Sequence, residues 1–173
     1  MDQDEGRLQQ LFKRMASHNR MVASYADETD RAAGILAASH FECVLEEALR
    51  TVMVKDDSVE ELFSPQGCTA TFFWKTQLAF ALGLLAPGEA RDVGLIRRIR
   101  NYFAHHPEAI SFNDSPVKDW CSELLPWEGC LKEDIEPRSR FLMAIALRSL
   151  LLVRRSQAGR RPNVPEDDST PPP

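Results

Sequence analysis

Residues 27–55 have the sequence DETDRAAGILAASHFECVLEEALRTVMVK. Their large apolar side chains recur at intervals of three and four residues, which is typical of one face of a helix, and the strict alternation of a strand is absent. The stretch predicts a long helix from near Asp27 to about Lys55. Small residues between positions 32 and 39 would let another helix approach closely. The apolar stripe consists of Ile35, Ala38, Phe41, Leu45, Leu49, Val52 and Met53.

Apolar residues at helical spacing also occur along the rest of the chain, and caps or prolines mark where several segments begin. Their number predicts an all-α, single-domain bundle of about six to seven helices. Residues 78–85 are apolar on every side, which is typical of a helix buried at the centre of a bundle. The other predicted segments are about 4–18, a short turn at 58–63, roughly 69–85, 87–107, 116–125 and a last helix that begins at Pro137.

The composition changes near the end of the sequence. Residues 159–173 are rich in proline, arginine, aspartate, serine and threonine, and Val164 is the one large apolar residue among them. Such a segment cannot bury enough apolar surface to become ordered. The sequence therefore predicts a helical bundle domain over residues 1–158 and a disordered, proline-rich tail over residues 159–173.

Charge and cysteine content limit the classes of function. The formal net charge is −5, so any nucleic-acid contact has to come from a local basic patch. The acidic start lacks the apolar stretch of a signal peptide, and no run is long enough to span a membrane. No cysteine lies in a Cys-x-x-Cys pair, which predicts reduced thiols in a cytoplasmic protein with no metal site and no cofactor. The cysteines are Cys43, which we expect to be buried, Cys68, Cys121 and Cys130.

The candidate catalytic residues lie in residues 95–107, LIRRIRNYFAHHP. Asn101 and His105 are four positions apart and therefore lie on one helical face, and the long side chain of Arg100 can reach the same place. The arginine can hold a phosphate, and the histidine can exchange a proton at neutral pH. This set suits metal-free cleavage of RNA, in which the substrate's own 2′-hydroxyl is the nucleophile. Arg97 and Arg98 would then contact the RNA backbone.

A structural interpretation of the same residues stays open. An arginine five positions before a histidine occurs by chance in many helices. His106 can cap the carbonyls at the end of the helix and interact with its dipole. Arg97 and Arg98 can form an ordinary solvated face.

A series of sequence blocks in a fixed order resembles the mannitol operon repressor family over roughly residues 27–121. The resemblance implies a helical protein that controls transcription without a recognisable DNA-binding domain, through a protein partner. The particular operon does not carry over, because nothing in the sequence indicates polyol binding. The blocks are residues 29–36 (TDRAAGIL), 41–49 (FECVLEEAL), 61–63 (ELF), 75–84 (KTQLAFALGL), 95–105 (LIRRIRNYFAH) and 110–114 (ISFND).

The arginine–histidine spacing also resembles the HEPN superfamily of small helical bundles, whose active members are metal-independent RNases that often act as toxins or defence effectors. Arg100 and His105 match the catalytic pair of that superfamily, and Asn101 matches the polar position after the arginine. The resemblance implies an endoribonuclease as the alternative to a transcriptional regulator.

Two further expectations concern partners. Direct DNA binding would have to use the basic residues at 154–155 and 160–161, but the chain turns acidic at residues 166–168, so we expect none. We expect a homodimer, because symmetric pairs are the commonest oligomers. The small-residue run at 32–39 or the helix that carries Arg100 would supply the contact.

Overall fold

The computed structural model describes Arg20, residues 24–124 and residues 135–158. All regular secondary structure in this part of the chain is helical, which confirms the predicted all-α bundle. The predicted first helix at 4–18 and the predicted tail at 159–173 lie outside the described residues. A 3₁₀ turn at Tyr25–Asp27 precedes six helices, α1 (Asp30–Val52), α2 (Asp57–Phe63), α3 (Phe72–Ala81), α4 (Pro87–His105), α5 (Val117–Glu123) and α6 (Pro137–Ala158).

Helix α1 lies at the centre of the bundle and packs against α3, α4 and α6. It begins where the Oγ1 atom of Thr29 accepts a hydrogen bond from the backbone N–H of Ala32, at 3.3 Å. Phe41, Leu45 and Leu49 have no exposed surface, so the apolar stripe predicted from the sequence faces the core. The long helix is therefore confirmed, three residues shorter at each end than predicted.

The small residues of α1 let α4 approach within the same chain. A Cβ atom placed on Gly34 would lie 2.3 Å from the Cδ2 atom of Phe103, so a larger residue at this position would force the ring or the helix to shift. Ala33, Ala37 and Ala38 are also fully buried. These four residues are covered inside the bundle, whereas Leu36 of the same run is 44% exposed, so the subunit contact suggested for residues 32–39 stays a prediction.

Helix α3 is shorter and less buried than predicted. It ends at Ala81, because Gly83 takes a positive φ of 73° and turns the chain, and the N–H of Leu84 returns to the carbonyl oxygen of Ala79 at 2.9 Å. Phe80 and Leu82 keep 45% and 44% of their surface exposed. The predicted burial of the whole run at 78–85 is therefore wrong, since the run is a helix end and a turn.

The environment of the cysteines also differs from the prediction at one position. Cys43 is exposed, because it lies on α1 between Phe41 and Leu45, whose side chains both point into the core on the opposite face. Cys121 is buried, and burial raises the pKa of its thiol to about 12. The prediction that Cys43 is buried is thus wrong. Cys130 lies outside the described residues.

Candidate functional site

Helix α4 positions the residues that the sequence singled out. Pro87 occupies its first turn, and the Oε2 atom of Glu89 accepts a hydrogen bond from the N–H of Ala86 at 2.8 Å. A stripe of fully buried apolar residues on α4 faces the core, and Arg97, Arg98 and Arg100 lie on the sides of the helix next to this stripe. The stripe consists of Val93, Ile96, Ile99 and Phe103.

The C-terminal end of α4 is fixed by the start of α1. Arg31 donates a hydrogen bond to the carbonyl oxygen of Phe103 at 2.7 Å, and Asp30 accepts one from the N–H of Phe112 at 2.9 Å. The imidazole of His106 stacks on the ring of Tyr102 with a centroid separation of 3.7 Å, and its Nδ1 atom lies 3.2 Å from the Tyr102 carbonyl oxygen. His106 therefore belongs to the helix end, as its structural interpretation predicted.

Two of the three candidate catalytic residues lie in one cavity. Arg100 donates to the Oδ1 atom of Asn101 at 2.9 Å and to the Oε2 atom of Glu42 at 3.3 Å. His105 is exposed and does not line this cavity, and its side chain makes no hydrogen bond or ion pair with the residues that the structure describes. The cavity has a volume of about 450 Å³ and is lined by Glu42, Ala70, Thr71, Phe72, Phe73, Arg97, Arg100 and Asn101.

Glu42 is a member of this site that the sequence did not single out. Its Oε1 atom accepts a hydrogen bond from the Nζ atom of Lys75 at 3.1 Å, and Lys75 also pairs with Glu46 at 2.9 Å. Burial lowers the pKa of Lys75, but its hydrogen bonds to Glu46 and Glu42 outweigh burial and raise the pKa overall. The carboxylate of Glu42 is thus held between two cations. The sequence shows that Glu42 and Glu46 are four residues apart on one side of α1. It does not show which cations they meet, because these come from distant segments.

The two arginines predicted to bind nucleic acid are on different sides of α4. The guanidinium of Arg97 lies 5.3 Å from the centre of the Phe73 ring, beside the cavity. The guanidinium of Arg98 lies 4.3 Å from the centre of the Trp120 ring on α5. Neither arginine has a carboxylate partner among the residues that the structure describes. Arg97 lines the same cavity as Arg100 and can contact the same ligand, whereas Arg98 does not line that cavity.

An exposed aromatic surface adjoins the cavity and was not predicted. The outward side of α3 carries Phe73, Trp74, Gln77, Phe80 and Ala81, and we call this surface the α3 face. Its aromatic residues keep 41%, 54% and 45% of their surface exposed. The rings of Phe73 and Trp74 meet edge to face with centroids 5.2 Å apart. The α3 face carries no charged residue, which is unusual for an exposed helix.

Two findings concern what the described residues lack. They contain no group of three or more histidine, cysteine, aspartate or glutamate side chains that could hold a metal ion. None of their helices combines the length and the apolar composition needed to span a lipid bilayer.

Comparison with known proteins finds the same fold in one chain of a solved protein complex. No protein-family model matches the chain, and no curated protein matches it either. The fold is similar to that of a chain in the X-ray structure of the MtlR–HPr complex from Escherichia coli, with a TM-score of 0.60 and 19% sequence identity. The match covers 80% of this chain and 99% of that chain. The likeness shows a shared fold, which is the fold that the sequence resemblance implied.

Proposed function

We propose that this chain is a transcriptional regulator of the mannitol operon repressor type, and that it acts by binding a protein partner. The observation that carries the proposal is the likeness to a chain solved in the MtlR–HPr complex, which extends over 99% of that chain. The ordered sequence blocks over roughly residues 27–121 support the same assignment.

The charge of the chain favours a protein partner over direct DNA binding. Proteins that bind DNA neutralise its backbone phosphates with a surplus of lysine and arginine. This chain instead carries a formal net charge of −5. Exposed aromatic residues are enriched at protein–protein contacts, and the α3 face supplies three of them. We therefore expect the regulator to change transcription through the partner that it recruits or sequesters.

The partner that the proposal names is an HPr protein of the source organism. Titration of the full chain with HPr in a calorimeter is expected to give saturable binding with a Kd on the order of 10 μM, in the range of transient signalling contacts. A duplex DNA of mixed sequence at the same concentration is the control and is expected to give no binding at physiological salt. If HPr gives no binding heat at concentrations of about 100 μM, the proposed partnership is wrong.

The second candidate is a metal-independent endoribonuclease of the HEPN type. It is favoured by the shared cavity of Arg100 and Asn101, where a phosphate could lie against the guanidinium. Two observations disfavour it. Glu42 already accepts a hydrogen bond from Arg100 at 3.3 Å, and His105 is exposed and does not line the cavity. Such an enzyme requires His105 as its proton donor or acceptor, whereas a regulator that binds a partner does not. The two candidates therefore differ in what replacement of His105 does.

A further inference from the structure

We propose that the cavity beside α3 and α4 is a binding site for a small molecule that carries a phosphomonoester group, and that Arg97 and Arg100 hold its phosphate. The cavity has a volume of about 450 Å³, which suits one small molecule, because ligand pockets in proteins enclose roughly 300–1,000 Å³. The inference goes beyond the proposed function and does not depend on it, since the site can hold its ligand whether or not the chain binds HPr.

The lining of the cavity carries more positive than negative charge. Arg97 and Arg100 each contribute a guanidinium group, and Glu42 contributes the one carboxylate. Arg97 contacts the Phe73 ring and has no carboxylate partner among the described residues. Because Arg97 and Arg100 are three positions apart on α4, they are neighbours on the helix surface, and a single phosphate can meet both.

Arg100 can exchange Glu42 for a ligand without leaving that carboxylate unpaired. Its Nη2 atom lies 3.3 Å from the Oε2 atom of Glu42, which is longer than the roughly 2.7–2.9 Å of a strong ionic hydrogen bond. The other carboxylate oxygen of Glu42 accepts a hydrogen bond from the Nζ atom of Lys75 at 3.1 Å. A phosphomonoester carries a charge of about −1.5 to −2 at neutral pH, so it competes for Arg100 better than a singly charged carboxylate does.

The rest of the lining offers contacts for the remainder of such a ligand. The Oδ1 atom of Asn101 accepts a hydrogen bond from Arg100 at 2.9 Å, and its amide NH₂ group is left to donate to a phosphate oxygen. Phe72 and Phe73 also line the cavity, and the Phe73 side chain is 41% exposed. A ligand with its phosphate at the arginines can therefore place an apolar group against the Phe73 ring.

An internal phosphate of an RNA strand suits the cavity less well. Each phosphodiester carries a single negative charge, so it has less advantage over Glu42 in the competition for Arg100. The histidine that would exchange a proton with the strand, His105, lies outside the lining. The observations thus favour the terminal phosphate of a small molecule.

Titration of the full chain with phenyl phosphate in a calorimeter tests the site. This probe combines a phosphomonoester with an apolar ring, and saturable binding is expected at low salt with a Kd on the order of 100 μM. An RNA oligonucleotide of about five nucleotides with a 5′-hydroxyl end carries phosphodiesters alone, and it is expected to bind at least about 10-fold more weakly.

Three variants and a matched control locate the phosphate. Arg97→Gln and Arg100→Gln are each expected to weaken binding of phenyl phosphate at least about 10-fold, because each removes a charged donor. Glu42→Gln is expected to strengthen binding about 3-fold, because it removes the carboxylate that repels the phosphate and competes for Arg100. Arg98→Gln is the control, since Arg98 lies on the same helix against the Trp120 ring and outside the cavity, so wild-type affinity is expected.

Several results would overturn the site. Circular dichroism first shows which variants are folded, and Arg97→Gln keeps the test decisive because Arg97 has no carboxylate partner among the described residues. Absence of binding at phenyl phosphate concentrations of about 10 mM would contradict the inference. Equal weakening by Arg97→Gln and Arg98→Gln would show a general attraction to the charge of α4 and no defined site. Tighter binding of the RNA than of phenyl phosphate would replace the small molecule with a phosphodiester strand.

Discussion

Replacement of Asp92 by alanine is expected to lower the free energy of unfolding by about 3–5 kcal/mol. Asp92 on α4 has no exposed surface, and its Oδ2 atom accepts two hydrogen bonds from the buried guanidinium of Arg148 on α6, one of them from Nε at 3.0 Å. The variant leaves Arg148 buried, and its remaining ion pair among the described residues is the one with Glu89 at 3.5 Å. A buried charge that loses its closest partner keeps its desolvation cost, and this cost is the source of the large effect.

Urea unfolding followed by circular dichroism measures this difference. The control is Arg91→Ala, which breaks an ion pair of 2.7 Å between Arg91 and Glu123, two exposed side chains, and is expected to cost about 0–1 kcal/mol. A double variant with Asp92→Leu and Arg148→Met is expected to recover most of the stability, because it removes both charges together. Equal losses in Asp92→Ala and Arg91→Ala would contradict the assignment of a buried ion pair between α4 and α6.

Replacement of Phe103 by alanine is expected to cost a similar amount, about 3–5 kcal/mol, through the cavity that it leaves. The Phe103 ring has no exposed surface, lies against Gly34 of α1, and packs on the ring of Phe112 with centroids 4.9 Å apart. It therefore joins α1, α4 and the loop after α4. The same unfolding measurement gives the loss, and a loss below about 1 kcal/mol would show that the ring is not packed as described.

Because Gly34 touches Phe103, the effect of Gly34→Ala on the free energy of unfolding is expected to change sign when Phe103 is replaced by alanine. Gly34→Ala alone is expected to destabilise the protein by about 1–3 kcal/mol, because its methyl group would meet the Phe103 ring. In the Phe103→Ala background the same change is expected to be neutral or to stabilise by up to about 1 kcal/mol, since alanine is the better helix former and the space is free. Additive effects of the two substitutions would contradict the close approach of α1 and α4.

The parts of the fold that local signals determine were predictable from the sequence. The apolar stripes and the proline that opens the predicted segment at 87–107 placed α1 and α4 close to their observed bounds. The joint position of Arg100 and Asn101 was also predictable, because the long side chain of Arg100 can reach across the angle of roughly 100° between neighbouring helix residues. These are the features in which helical periodicity alone decides what a side chain meets.

The features that the sequence did not predict depend on contacts between distant segments. Glu42 reaches the cavity through cations from α3 and α4, and the pair of Asp92 with Arg148 joins residues 56 positions apart. Helix α3 buries Phe72, Lys75, Thr76 and Ala79, so the aromatic residues of the α3 face on its other side lie at the surface. Helical spacing gave no indication that His105 is exposed and does not line the cavity of Arg100 and Asn101.

The central claim is regulation through a partner, and it is tested most directly by transcript levels in a strain that lacks this chain. The deletion is expected to raise the transcript of at least one operon, and the wild-type chain is expected to restore repression. His105→Ala is expected to restore repression fully, because the His105 side chain makes no hydrogen bond or ion pair with the described residues and partner binding does not need it. Failure of His105→Ala to restore repression, with its expression and folding intact, would contradict the account and favour the endoribonuclease.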